Sequence, residues 1–271
     1  MSKLSAEEKF VDFSDYGRPI AVAIAKRFTP TLVTPVHVTL MFGICGLLAA
    51  LAILNGYFFI AGVLLISKSI LDAADGELAR LKERPSYTGR YLDSVFDIIL
   101  NFIILGVIQQ VTGQPFWLML LAFAALQLQG TLYNYYYVIL RHSSESGDKT
   151  SNILETKLPE ALPGESQTSV TILYRIYLVF YSVFDHIIYR LDRTAPKSSG
   201  FPNWFMSLLS LYGLGFQLLI IAIMLSAGLI NLILPFFIWY SVLIVVFIGI
   251  RKALLDDERK EIINDEVQNN G

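Results

Sequence analysis

Four aspartates, Asp72, Asp75, Asp93 and Asp97, stand beside some of the most apolar sequence in this chain, within the stretch DAADGELARLKERPSYTGRYLDSVFD over 72–97. Asp72 and Asp75 close one long hydrophobic run, and Asp93 and Asp97 open the next. A charged side chain within hydrocarbon costs about 2.5–3.5 kcal/mol on insertion scales, so this grouping points to function. Four carboxylates in a small volume do not all stay ionised without cations, because like charges disfavour one another's ionisation. Oxygen-only ligands suit hard cations such as Mg²⁺ or Mn²⁺. A pair of such ions about 3.5–4 Å apart clamps the attacking and leaving oxygens of a phosphoryl displacement. The expected chemistry is therefore phosphoryl transfer with two divalent cations, and Arg80, at the edge of the same face, could bind a phosphate oxygen. Solvated helix caps would account for Asp72 or Asp97 singly, but not for four acids on facing helices. An ion or proton pathway explains neither the nearby glycines nor the arginine.

Helical geometry is what gathers these acids. At about 100° per residue, Asp72, Asp75, Gly76 and Ala79 share one face, and Gly89, Asp93 and Asp97 lie one turn apart in a line. A short link lets the two helices pack antiparallel with their acidic faces together, while Gly76, Ala79 and Gly89 leave space for a ligand or a close backbone. Lys68, one turn before Asp72 on the same face, reads as an ion pair with Asp72 or as a contact to substrate phosphate.

The elements that carry this hairpin belong to a membrane protein. Of 271 residues 54% are hydrophobic and only 16% charged, against about 25% charged in a soluble chain. No basic domain supports a nucleic-acid role. The lone Cys45 excludes an intrachain disulfide and four-cysteine zinc sites. The first 13 residues lack the apolar core of a signal peptide, so the first hydrophobic segment is expected to direct insertion.

Ser5 and Glu8 read as a capping box, and PIAVAIAKRF, Pro19 to Phe28, as an interfacial amphipathic helix. Six stretches reach the roughly 20 apolar residues a membrane helix needs: 36–54, 57–79, 89–111, 115–139, 204–226 and 231–250. Of 21 Lys and Arg, five precede the first span, four lie from Arg80 to Arg90, seven from Arg141 to Lys197 and four from Arg251 onward, with Lys68 alone inside a span. Six spans put all four groups on one side, and the positive-inside rule makes it the cytoplasm. The acids then face the cytoplasm of a bacterial inner membrane or its equivalent. The expected organisation is a cytoplasmic N-terminus over 1–35, a six-span domain over 36–255 with a cytoplasmic insert at 141–203, and a charged tail over 256–271. Within the insert, His142 to Ser169 reads as a mobile loop and Thr171 to Arg193 as an amphipathic, partly buried helix at the cytoplasmic surface rather than a seventh span. Tyr133, Tyr135, Tyr136 and Tyr137, followed by Arg141, read as an interfacial belt or as the lining of an acceptor pocket. Arg141, Arg190, Arg193 and Arg251 could hold a phosphorylated acceptor or lipid headgroups. His37, His142 and His186 are scattered and read as structural.

Asp72, Asp75, Gly76, Ala79, Arg80, Gly89, Asp93 and Asp97 match at every position the pattern D-x2-D-G-x2-A-R-x8-G-x3-D-x3-D. In this the chain resembles the CDP-alcohol phosphotransferase family, as it does in its six spans and N-terminal interfacial helix. The resemblance implies transfer of a phospho-alcohol from a CDP-alcohol, foremost CDP-diacylglycerol, to a second alcohol, with release of CMP, in phospholipid biosynthesis. A CDP-aminoalcohol or CDP-polyol donor acting on a lipid or polyol hydroxyl is the alternative, and a cation transporter a remote one. By the same resemblance Asp72, Asp75 and Asp93 hold two divalent cations, Mg²⁺ or Mn²⁺, and Asp97 completes the site as general base. Gly76, Ala79, Arg80 and Gly89 line the CDP portion, Thr39 touches the nucleotide, and Lys68 and Arg141 are candidates for substrate phosphate. The resemblance also implies a homodimer in contact with membrane lipid.

Overall fold

The computed structural model describes residues 10–143, 152–198 and 200–254, and among these there are helices and no strands. The expected capping box at Ser5 and the charged tail from 256 lie outside the described residues. Helix α1, Arg18–Phe28, carries Pro19 in its first turn and Lys26 and Arg27 in its last, where cations complement the helix dipole. Helix α2, Pro35–Leu54, also starts on a proline. His37 Nδ1 accepts from the Thr34 N–H at 3.1 Å, which gives this histidine the structural place the sequence suggests. Helices α3, Phe58–Leu81, and α4, Tyr87–Thr112, follow. Ser86 caps α4 by accepting from Gly89 N at 2.9 Å, and Gly113 stops it at a φ of 66°. Helix α5, Phe116–Ser143, returns antiparallel to α4.

The next helix, α6, Gln167–Leu191, covers the stretch expected as a helix from Thr171 and begins one turn earlier. Both its ends are tied to the end of the bundle that carries the aspartates. Before its first turn, Glu165 accepts from the backbone N–H of Thr88 at 2.7 Å and of Tyr87 at 3.1 Å, and from Ser86 Oγ at 2.7 Å. After its last turn, Asp192 accepts from Tyr136 Oη at 2.7 Å and from Arg251 Nε at 2.6 Å. Midway, Tyr181 Oη donates to the Ser94 carbonyl at 2.8 Å. The described part of the expected mobile loop, 152–166, is thus anchored: Glu155 pairs with Arg90 and Glu165 caps α4. Two glutamates with donors to satisfy outweigh the prolines and glycines that suggested mobility.

The stretch expected as one span over 204–226 is broken. Helix α7, Asn203–Leu209, a 3₁₀ turn over Ser210–Tyr212 and helix α8, Leu214–Ser226, meet at 51°. The N-terminal segment docks at the break: Phe13 N donates to Ser210 Oγ at 2.8 Å and Val11 N to Ser207 Oγ at 3.1 Å. Gly213 and Gly215 are required there, since a Cβ on either would collide with Ser14. The last helix, α9, Ile233–Tyr240, resumes after Ser241 and is helical over 242–254.

Among the described residues five stretches, α2, α4, Phe116–His142, α6 and Ile230–Leu254, are long and apolar enough to cross a membrane, and the bent pair makes a sixth. Helix α3 is 24 residues long, but its charged residues Lys68, Asp72, Asp75, Glu77 and Arg80 keep it out of that set. Away from the acids, Ile53, Leu65, Leu100, Ile104, Leu126, Leu218 and Phe237 join α2, α3, α4, α5, α8 and α9 in one apolar core. A second cluster, Tyr91, Val95, Val170, Tyr174 and Tyr177, seals α6 onto α4.

Candidate active site

The last turns of α3 and the first turns of α4 carry the acids, and antiparallel packing brings them together. Asp72, Asp93 and Asp97 each offer a carboxylate oxygen within 4.8 Å of the others. Asp93 Oδ1 is buried and makes no hydrogen bond. A buried acceptor left unmatched costs about 1–3 kcal/mol, which a cation would relieve. The all-oxygen donor set and this orphaned atom fit a hard divalent ion. Asp75, the fourth expected member, stands outside the group of three: its carboxylate accepts from the Thr39 hydroxyl, which ties α2 into the site.

Lys68 is fully buried. Its nearest acid is not Asp72, as spacing along one helix suggests, but Asp97 across the hairpin, with Asp72 Oδ2 at 3.8 Å. Its ammonium also lies 4.9 Å from the centre of the Phe42 ring.

Of the small residues, Gly76 has open space beside it and Gly89 packs closely on Ser86. A Cβ on Gly76 would meet only Arg80 Nη1, at 3.6 Å, and one on Gly89 only the Ser86 side chain. Arg80 Nη2 donates to Glu77 Oε2 at 2.6 Å, while Arg80 Nε is buried without a partner. Glu77 also faces Arg18 of α1 at 3.5 Å. Arg141 is buried, with its guanidinium 5.8 Å from the centre of the Tyr137 ring. Arg251, grouped in sequence with the phosphate-binding candidates, is a correction: it is buried in an ion pair with Asp192 and donates to Thr194 Oγ1 at 2.8 Å. Sequence reasoning passed over Glu77, Arg18, Glu155 and Glu165. Glu77 occupies a variable place in the pattern, and the others act on residues 59 to 79 positions away, beyond any local spacing rule.

Fold and site together define a class: helical and apolar enough for a membrane, with an oxygen-rich acidic site between two facing helices. The chain belongs to the CDP-alcohol phosphatidyltransferase family, whose model matches residues 32–188, a stretch that holds all eight residues of the pattern. It is similar to the bifunctional IPC transferase and DIPP synthase of Archaeoglobus fulgidus, at 37% identity over 93 residues, 34% of this chain and 19% of that protein. The protein of the same name from Thermococcus kodakarensis is 37% identical over 86 residues, 31% of this chain and 20% of its own. That of Aquifex aeolicus is 36% identical over 108 residues, 38% and 24%. The chain thus spans only 19% to 24% of the length of these relatives.

Proposed function

We propose that this protein transfers a phospho-alcohol group from a CDP-alcohol, foremost the phosphatidyl group of CDP-diacylglycerol, to the hydroxyl of a second alcohol, releasing CMP. The observation that carries this reading is the meeting of Asp72, Asp93 and Asp97 across the α3–α4 hairpin, on a chain of this family. Asp72, Asp75 and Asp93 hold two divalent cations, Mg²⁺ or Mn²⁺, with Asp97 completing the site. Bound there, the cations offset diphosphate charge and stabilise the departing CMP. Asp97 takes the proton of the acceptor hydroxyl as its oxygen bonds to the phosphorus bearing the donor's alcohol. The bond from that phosphorus to the bridging oxygen breaks, and CMP leaves with both bonding electrons. Thr39 fixes the orientation of Asp75, and Gly76, Ala79 and Gly89 leave the nucleotide room. Arg80, whose Nε has no protein partner, donates to the diphosphate. Lys68 and Arg141 contribute positive charge to the same end.

The reading includes six spans, α2 to α5, the bent 203–226 pair and the final helix, with the acids in the cytoplasm. Helix α6 then lies along the cytoplasmic side of the 36–255 domain, supported by the attachment of both its ends to the acidic end of the bundle. Helix α1 lies at the interface ahead of them, and the 1–35, 141–203 and 256–271 boundaries follow. A homodimer belongs to the same reading and rests on family resemblance. A second reading, a CDP-polyol donor, is favoured by the relatives, which are named for IPC transferase and DIPP synthase activities rather than as phosphatidyltransferases. CMP release measured in detergent with paired donors and alcohols separates the two: the account expects turnover with CDP-diacylglycerol and a small polar alcohol, and turnover only with CDP-polyols would replace it by the second.

A further inference from the structure

Lys68 is a cation with nowhere else to go. It leaves α3 one turn before Asp72, is fully buried, and has Phe42 of α2 packed beneath its ammonium. A buried ammonium persists only when paired, and its partners are Asp97 across the hairpin and Asp72 at 3.8 Å. It therefore holds the edge of the carboxylate cluster formed by Asp97 and Asp72. The opposite edge is different: Asp93 Oδ1 is buried without a partner. Lys68 thus supplies one positive charge at the Asp72–Asp97 edge, and the Asp93 edge is left for the first divalent cation. The Thr39 hydroxyl orients Asp75 without neutralising it. A second ion bound to Asp97 would stand against the ammonium, and repulsion between cations at such a distance opposes it.

We propose that Lys68 is a resident cation of this cluster, so that the resting protein takes up one divalent ion per chain and admits a second only together with the negative charge of the nucleotide diphosphate. The inference rests on the proposed metal-dependent reading of the same site and deepens it: occupancy becomes ordered, and the donor helps to complete its own site. An ion pair that merely anchors α3 to α4 would swing aside and leave two independent metal sites.

Titrating the purified protein in detergent with Mn²⁺, and following the loss of the free-ion paramagnetic resonance signal, tests this without turnover. The expected result is one Mn²⁺ per chain without nucleotide and two in the presence of CDP. Lys68→Met should bind two without nucleotide, or bind the first at least tenfold more tightly, while Lys68→Arg, which keeps the charge, should retain the wild-type stoichiometry. Two Mn²⁺ on the wild type without nucleotide, or no change in Lys68→Met, would overturn the proposal. If Lys68→Met does not fold, the wild-type titration with and without CDP decides alone. Absence of Mn²⁺ binding under all conditions, or binding unaltered in Asp93→Asn, would overturn the metal reading itself and the inference with it.

Discussion

A carboxylate oxygen buried without a hydrogen-bond partner is tolerated where it waits for a positive charge, and Asp93 Oδ1 is such an atom. Asp93→Asn should therefore weaken Mn²⁺ binding and abolish most CMP release. Asp97→Asn, if Asp97 is the base, should lower turnover by about 10²–10⁴ and alter donor binding less; wild-type turnover in either variant would remove that residue from the chemistry. Thr39 acts through Asp75, and outer partners of metal ligands are typically worth about 10- to 100-fold in affinity. Thr39→Val is expected to lose that much Mn²⁺ affinity, readable in the same titration. That Asp72, Asp93 and Asp97 would come together could be read from spacing, because acids three and four apart must share a helix face. The pairing of Lys68 with Asp97 could not: it depends on how α3 and α4 slide past one another, and along α3 alone Asp72 is the obvious partner. Arg251 looked available for the same reason, since nothing near it in sequence points to Asp192, 59 residues earlier.

At the scale of elements, hydrophobic run length and punctuation by Asn55-Gly56 and Gly113 made α2 to α5 legible to within a few residues. Helix α6 was legible as a helix, but its fastening was not, because Glu155 and Glu165 act on the start of α4. Burial alone would raise the Glu165 carboxyl group. The N–H groups of Thr88 and Tyr87 and the hydroxyls of Ser86 and Thr88 outweigh it and hold the group below its ordinary value. Its stabilisation is then fully present above the usual glutamate value of about 4.3 and is lost as pH falls through the lower folded-state value. Glu165→Ala should cost about 1–2 kcal/mol, seen as a lower Tm in detergent at neutral pH, with the difference from wild type shrinking in acid. An equal Tm at neutral pH would mean that the cap contributes nothing. The bend at Gly213 escaped sequence reading because 204–226 carries no charged residue to interrupt it, and only the docked N-terminal segment gives the glycines their reason. Gly215→Ala should displace that segment and cost about 1–3 kcal/mol as an overpacked contact.

For the whole molecule, the proposed topology rests on the cation distribution and on the attachment of both ends of α6. Single cysteines in a Cys45→Ala background test it: Gly164→Cys and Arg193→Cys should both react with a membrane-impermeant maleimide from the cytoplasmic side, and Gly228→Cys from the other. Labelling of 164 and 193 from opposite sides would make α6 a span. The buried Asp192–Arg251 pair fastens α6 to the last helix. Because removing one partner strands a buried charge, Asp192→Ala should cost about 3–5 kcal/mol. All of this serves the hairpin where three aspartates converge. The most direct test is CMP release from CDP-diacylglycerol by the purified protein, with and without acceptor alcohol, Mg²⁺ or Mn²⁺. The account predicts release that requires the alcohol and the metal and is lost in Asp93→Asn; release that persists after metal removal or in that variant would contradict it.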